Sequence, residues 1–230
     1  MRKVKFFVRL WYLWHRLLCH SLVLAQFYSA NCLMLRKVFS MDQAFTDKNF
    51  EKTDFKETPF IKGEYDNCNF NSCDLSNADL SETRFIDCNF IGCNLCLVKL
   101  NNTVFRDTKF KECKMLGLRF DDCNEYGLSF SFEDCVLNHS SFYGTKLKKV
   151  IFKNTQLQEV DLTDCDLTAA VLDKCDFSKA LFENTVLEKA DLRTSYNYSI
   201  DPERNKIKKA KFSLPAIVGL LSKYDIEIHK

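Results

Sequence analysis

Glycine and proline are scarce in this chain of 230 residues, at six and three. With 46% apolar residues, that excludes a linker-rich, collagen-like or disordered protein. Histidine is also rare. Of His15, His20, His139 and His229, only His139 lies in the patterned region, on an outward position with no inward acid or nucleophile to pair with. No glycine-rich phosphate loop and no recessed carboxylate pair can be found, so no catalytic residue and no cofactor are assigned. Acidic charge is missing altogether from residues 1–40, which hold seven basic residues.

Cysteine is plentiful, at twelve, but its spacing forms no disulfide framework, and a reducing cytoplasm is the expected compartment. The net charge of +2 conceals a division along the chain. Residues 41–200 hold 19 basic and 27 acidic residues, a net of −8, whereas 201–230 hold seven basic and four acidic.

What fills the chain instead is a period of five. From Phe45 to Phe120 every fifth residue is large and apolar; the phase then slips by two and resumes from Leu137 to Leu192. Neither the 3.6-residue helix nor the two-residue strand alternation produces this period. Two residues before each centre runs a second column of small or β-branched side chains, for example Cys68, Cys73, Ala78, Thr83 and Cys88. Charges fall on the other three positions of each five. Two inward positions per unit, interlocked by size, with charge kept outside, are the expected arrangement.

Close matches to one unit pattern are Cys73-Asp74-Leu75-Ser76, Ala78-Asp79-Leu80-Ser81, Cys165-Asp166-Leu167-Thr168 and Ala190-Asp191-Leu192-Arg193. The sequence thereby resembles the pentapeptide-repeat family, whose pattern is A(D/N)LXX, over about three quarters of its length. The resemblance implies an all-β fold, a right-handed quadrilateral parallel β-helix with four units per coil and a short C-terminal capping helix. About seven coils at ~4.8 Å give roughly 34 Å of repeat. Residues twenty apart then stack, which predicts an aromatic column of Phe50, Phe70, Phe90, Phe110 and Phe130. Nine cysteines (Cys68, Cys73, Cys88, Cys93, Cys113, Cys123, Cys135, Cys165, Cys175) lie in the small inward column. Parallel stacked thiols do not converge as a zinc site or a disulfide needs, so they read as small apolar fillers, with no metal. A coil filled in this way leaves no obvious pocket.

Three regions depart from the pattern. Residues 1–40 form a basic, apolar leader with an uncharged run over 17–35. It is open to reading as a signal or membrane anchor, as a soluble extension, or as sequence ahead of a true start at Met41. The repeat, 41–212, slips at 124–132, where a bulge is expected to push Glu125 outward together with Tyr126 and Gly127. Residues 213–230 are expected to begin with a helix capped by Ser213, with Leu214, Ile217, Val218, Leu221 and Tyr224 on one face, followed by a strand over 225–228. This segment covers the open coil end; resemblance to the Qnr-like, gyrase-protecting members implies that it also joins a homodimer.

The outward positions of the first block carry Asp47, Glu57, Glu82, Asp87, Asp107, Glu112 and Asp122, and those of the second carry Lys149, Lys174, Lys179 and Lys189. Resemblance to the Qnr-like members implies a protein partner, DNA gyrase or topoisomerase IV, bound by an acidic rod that imitates DNA, with quinolone protection as the consequence. The alternatives are a generic interaction scaffold and a membrane-tethered rod.

Overall fold

The computed structural model describes residues 43–224 together with Ile226 and Glu227; the leader, the Met41 question and half of the expected strand at 225–228 lie outside the described residues, and Ile226 and Glu227 form no strand. The described chain winds as a right-handed quadrilateral parallel β-helix. Every strand pair is parallel, and residues twenty apart are paired, as in Phe45 with Tyr65 and Phe50 with Phe70.

Two of the four faces are sheets. The first contains β1 (Gln43–Thr46), β3 (Gly63–Asp66), β5 (Arg84–Ile86) and β7 (Val104–Arg106). The second contains β2 (Asn49–Glu51), β4 (Asn69–Asn71), β6 (Asn89–Ile91), β8 (Thr108–Lys111), β9 (Phe130–Glu133), β10 (Ile151–Lys153) and β11 (Val171–Asp173). The other two faces touch mainly through single bridges such as Asp74 to Asn94 and Asp161 to Leu181.

Corners are built at the residue two after each centre. Nearly every one has a positive φ, between 49° and 63° in its non-glycine cases. Many corners are β-turns in which the amide three after a centre donates to the centre's carbonyl, as from Ala78 to Leu75 (2.9 Å) and Thr83 to Leu80 (3.1 Å). The acidic or amide residue just before a centre locks the turn. Asp74 Oδ1 accepts from the Ser76 amide (2.9 Å) and hydroxyl (2.6 Å), and Asp166 accepts from the Thr168 amide (3.0 Å). This is the physical content of the D/N in the unit pattern.

The core is the stack of centres. Along the second face the rings of Phe50, Phe70, Phe90, Phe110, Phe132 and Phe152 follow at 4.5–5.2 Å with interplanar angles of 5–17°. The expected fifth member, Phe130, is corrected to Phe132, because the extra residues lie ahead of β9 and Phe110 pairs with Phe132 while Thr108 pairs with Phe130. Phe130 instead turns inward beside Phe105, edge to face at 6.4 Å.

The inward cysteines are more than fillers. Cys68, Cys88, Cys93 and Cys113 donate to the carbonyls of Phe45, Tyr65, Phe70 and Phe90 in the preceding coil (3.2–3.3 Å). Thr103 and Ser195 do the same to Leu80 (2.9 Å) and Leu172 (2.7 Å). The small column therefore adds a donor to buried carbonyls of the preceding coil, and that of Leu80 also accepts from the Thr83 amide. Burial pushes the thiols of Cys88, Cys165 and Cys175 up to about 12, so they stay protonated and inert.

The C-terminal segment differs from its expectation in kind. It forms two short 3-10 turns, Ile217–Leu220 and Ser222–Tyr224, and the first begins after Ala216 with no side-chain cap from Ser213. Leu220 is the side chain it buries, while Leu214, Ile217, Val218 and Tyr224 are exposed and Leu221 is intermediate. The cause is the close approach of backbones. The Gly219 carbonyl accepts from the Ile200 amide (2.9 Å), and a Cβ at Gly219 would overlap the Tyr198 carbonyl, which fixes the segment's rotation on the last coil. Lys223 then bridges Asp201 (2.7 Å) and Glu203 (2.8 Å).

Candidate interaction surface

Six of the seven outward acids of the first block, all but Glu57, are divided among three corners. Asp47, Asp87 and Asp107 share the corner between the two sheet faces, each with positive φ, and Asn67 Nδ2 donates to Asp47 Oδ1 (2.6 Å) between them. Glu82 and Asp122 share the corner leading into the first sheet, where Asp122 sits in a 3-10 turn and meets Arg119 at 3.4 Å. Glu112 stands alone on the corner after the second sheet, at φ +54°. All three corners border the sheet faces. Beside them on the second sheet runs an amide ladder, in which Asn89 donates to Asn69 (2.9 Å) and Asn69 to Asn49 (2.8 Å). That ladder was missed from the sequence, although the three asparagines stand twenty residues apart.

At the slip, Glu125 points outward and meets Lys146 at 3.6 Å, with both side chains 72% exposed. Tyr126 is 84% exposed, and its amide donates to Asn124 Oδ1 (3.0 Å). Gly127 carries a φ of +75°, a conformation glycine adopts without strain, and the Arg106 guanidinium lies alongside it. The first sheet ends here, and the corner opens into a recess of about 260 Å³ floored by Leu128, Phe130, Val150 and Ile151 and rimmed by Asp107, Lys148 and Lys149. The expectation of a surface without pockets is corrected here, where two extra residues in one coil part the walls, and again where the C-terminal segment lies against Tyr196 and Tyr198. Among the described residues no group of histidine, cysteine and carboxylate side chains could hold a metal ion, and no helix is long and apolar enough to cross a membrane.

The five-residue unit, its left-handed corners and its stacked centres agree with the family model described as "Pentapeptide repeat region", which matches residues 63–131 and 128–192. The chain belongs to the pentapeptide-repeat family. Among solved structures, a trypsin-treated form of QnrB1, described as a plasmid-mediated fluoroquinolone resistance protein, is similar over 83% of this chain and 100% of its own, at 17% identity and a TM-score of 0.52. HetL, a pentapeptide-repeat protein involved in heterocyst differentiation regulation from the cyanobacterium Nostoc sp. strain PCC 7120, aligns over 79% of this chain and 93% of its own, at 13% identity and a TM-score of 0.46. At such identities the likeness is one of fold. No curated protein sequence matches the chain.

Proposed function

We propose that this pentapeptide-repeat coil is a non-enzymatic protein-interaction element in the cytoplasm whose partner is a type II topoisomerase, DNA gyrase or topoisomerase IV. The observation that carries this is the row of exposed carboxylates of Asp47, Asp87 and Asp107 on one straight corner, none of them in an ion pair with another described residue. A saddle lined with lysine and arginine to receive a phosphate backbone presents the charge pattern such a row complements. The likeness in fold to a fluoroquinolone resistance protein supports the choice of partner, and protection from quinolones follows as its consequence. The ten described cysteines are all free, the state a reducing compartment maintains. Exposed Leu214, Ile217, Val218 and Tyr224 form the surface an end-to-end homodimer would use.

The test is binding of the purified chain to gyrase and to topoisomerase IV across a salt series, with supercoiling assayed under a quinolone. Binding that weakens with salt, and weakens further in Asp47→Asn/Asp87→Asn/Asp107→Asn, is expected. Absence of binding to either enzyme at low salt ends the proposal. Tyr126, 84% exposed on the slip loop, favours a second reading, a scaffold that grips another protein through this loop. Capture of a partner that Tyr126→Ala abolishes and the triple Asp→Asn variant leaves intact would select it.

A further inference from the structure

The corner between the two sheet faces continues past the slip, and its charge inverts there. Asp47, Asp87 and Asp107 precede the slip; Lys149, Lys189 and Lys209 follow it, all six at positive φ and all exposed. The column is continuous through Ser129, whose hydroxyl donates to Asp107 Oδ1 (3.1 Å) at the turning point. The next corner shows no such order, with Glu112 and Asp134 lying between Lys52 and Lys174. Ion pairs are common elsewhere on the surface, as in Lys153 with Glu133 (2.8 Å) and Lys56 with Asp74 (2.9 Å), yet none of these six side chains forms one with another described residue.

An edge that is negative on one half and positive on the other is complementary to itself reversed. A second copy turned by a half-turn about the slip sets Asp47 against Lys209 and Asp107 against Lys149, each twice, while Asp87 meets Ala169 and Asn67 meets Lys189. Along this corner no like charges oppose each other, although in the flanking column Asp66 meets Glu188 and Arg106 meets Lys148. A parallel copy would oppose like charges at all six sites. The recess of about 260 Å³, with its apolar floor of Leu128, Phe130 and Ile151, lies on the two-fold axis. We propose that a second copy of this chain packs antiparallel along this edge, with the axis at the slip. The edge from Asp47 to Lys209 is roughly 38 Å long at ~4.8 Å per coil, and a strip ~20 Å wide covers about 800 Å² per protomer, the size of a standard interface. The isologous geometry is the one two-fold dimers use. The proposal does not rest on topoisomerase binding. It does make the two compete, because Asp47, Asp87 and Asp107 cannot face a basic partner and a second copy together.

Zero-length carbodiimide cross-linking of the full chain, with mass spectrometry on a mixture of nitrogen-15-labelled and unlabelled protein, tests the geometry directly. Asp47 and Lys209 lie too far apart to join within one chain, so a link between them is intermolecular and is the expected result. By sedimentation, the dimer should dissociate as salt rises from about 50 to about 500 mM. Lys149→Glu should weaken it about tenfold or more, and the swap Asp107→Lys/Lys149→Glu should restore it, because the reversed pair meets its own complement. A monomer at low salt overturns the proposal. So does a dimer without the Asp47–Lys209 link, or a Lys149→Glu defect that the swap does not repair. A dimer lost in Leu214→Glu/Val218→Glu and indifferent to Lys149→Glu is an end-to-end one and also overturns it.

Discussion

Ser195 and Thr83 occupy the same inward column and differ by two hydrogen bonds, since Ser195 Oγ also accepts from the Cys175 amide (3.3 Å). Ser195 Oγ donates to the Leu172 carbonyl (2.7 Å), whereas Thr83 Oγ1 is buried with no partner. Its acceptor, by the register that serves the other members, is the carbonyl of Phe60, and the chain departs from the regular coil over Phe55–Pro59 just before it. Ser195→Ala should therefore cost about 1–2 kcal/mol by stranding a carbonyl, while Thr83→Val should be neutral or stabilising by up to about 1 kcal/mol. Denaturant midpoints of the two variants should move in opposite directions or differ by that gap. Size and burial at these positions were legible in the sequence, since cysteine, threonine and alanine alternate there. The donor role was not, because it depends on a carbonyl one coil away. The corner positions carry a second residue-level cost. Ala169 is held at φ +58°, where an L-residue is strained by about 1–2 kcal/mol and glycine is not. After the extra backbone entropy of glycine is deducted, Ala169→Gly should raise stability by about 0.5–1 kcal/mol, and Ala169→Val should lower it; thermal melts of the pair decide the sign.

Turns, slip and cap each convert such residue preferences into an element. The turn-locking aspartates are held ionised. Ser76 and Lys56 lower Asp74 to about 2, Arg193 lowers Asp191 to about 2, and Asp79 reaches about 2 through Lys62 and Ser81 although partial burial opposes it. Folded values below the unfolded value of about 3.9 place their stabilisation above that pH, with loss as pH falls from about 4 toward 2. Stability should thus be level from neutral pH to about 5 and decline below 4, and Asp74→Asn/Asp191→Asn should flatten that decline in denaturant titrations at a series of pH values. The existence of the slip was plain from the phase of the centres. Which phenylalanine continues the stack was not, since Phe130 and Phe132 are equally apolar and only the pairing of β8 with β9 chooses between them. The cap misled for a related reason. Its apolar spacing suits a helix, but the fit of Gly219 against Tyr198 sets the rotation and selects Leu220. Gly219→Val should release the segment, raising proteolysis at the C-terminal end while the repeat coils stay protected.

Across the coil as a whole, the strand pairings and hydrogen bonds of the described residues join neighbouring coils, so its stability is close to a sum of coils and nearest-neighbour interfaces. The period alone made this architecture readable. The distribution of function was less so, because an outward residue's meaning depends on which of four corners it occupies, and the left-handed corner that sums Asp47 through Lys209 appears only once the slip is counted correctly. The same one-dimensional logic governs damage. Phe90 is fully buried between Phe70 (4.5 Å) and Phe110 (5.1 Å), so Phe90→Ala opens both of its interfaces and should cost about 3–5 kcal/mol. Phe50 stacks on Phe70 and is only partly buried at the first coil, so Phe50→Ala should cost less than half as much. The distinguishing measurement is hydrogen exchange resolved by peptide. In Phe90→Ala, protection should fall in the coils between Phe70 and Phe110 and remain in those beyond Phe142, because the later rings and leucines still stack on one another. A uniform loss of protection from Phe45 to Phe212 would instead mean that the coils fold as a single cooperative unit, with coupling carried farther than neighbouring contacts can take it.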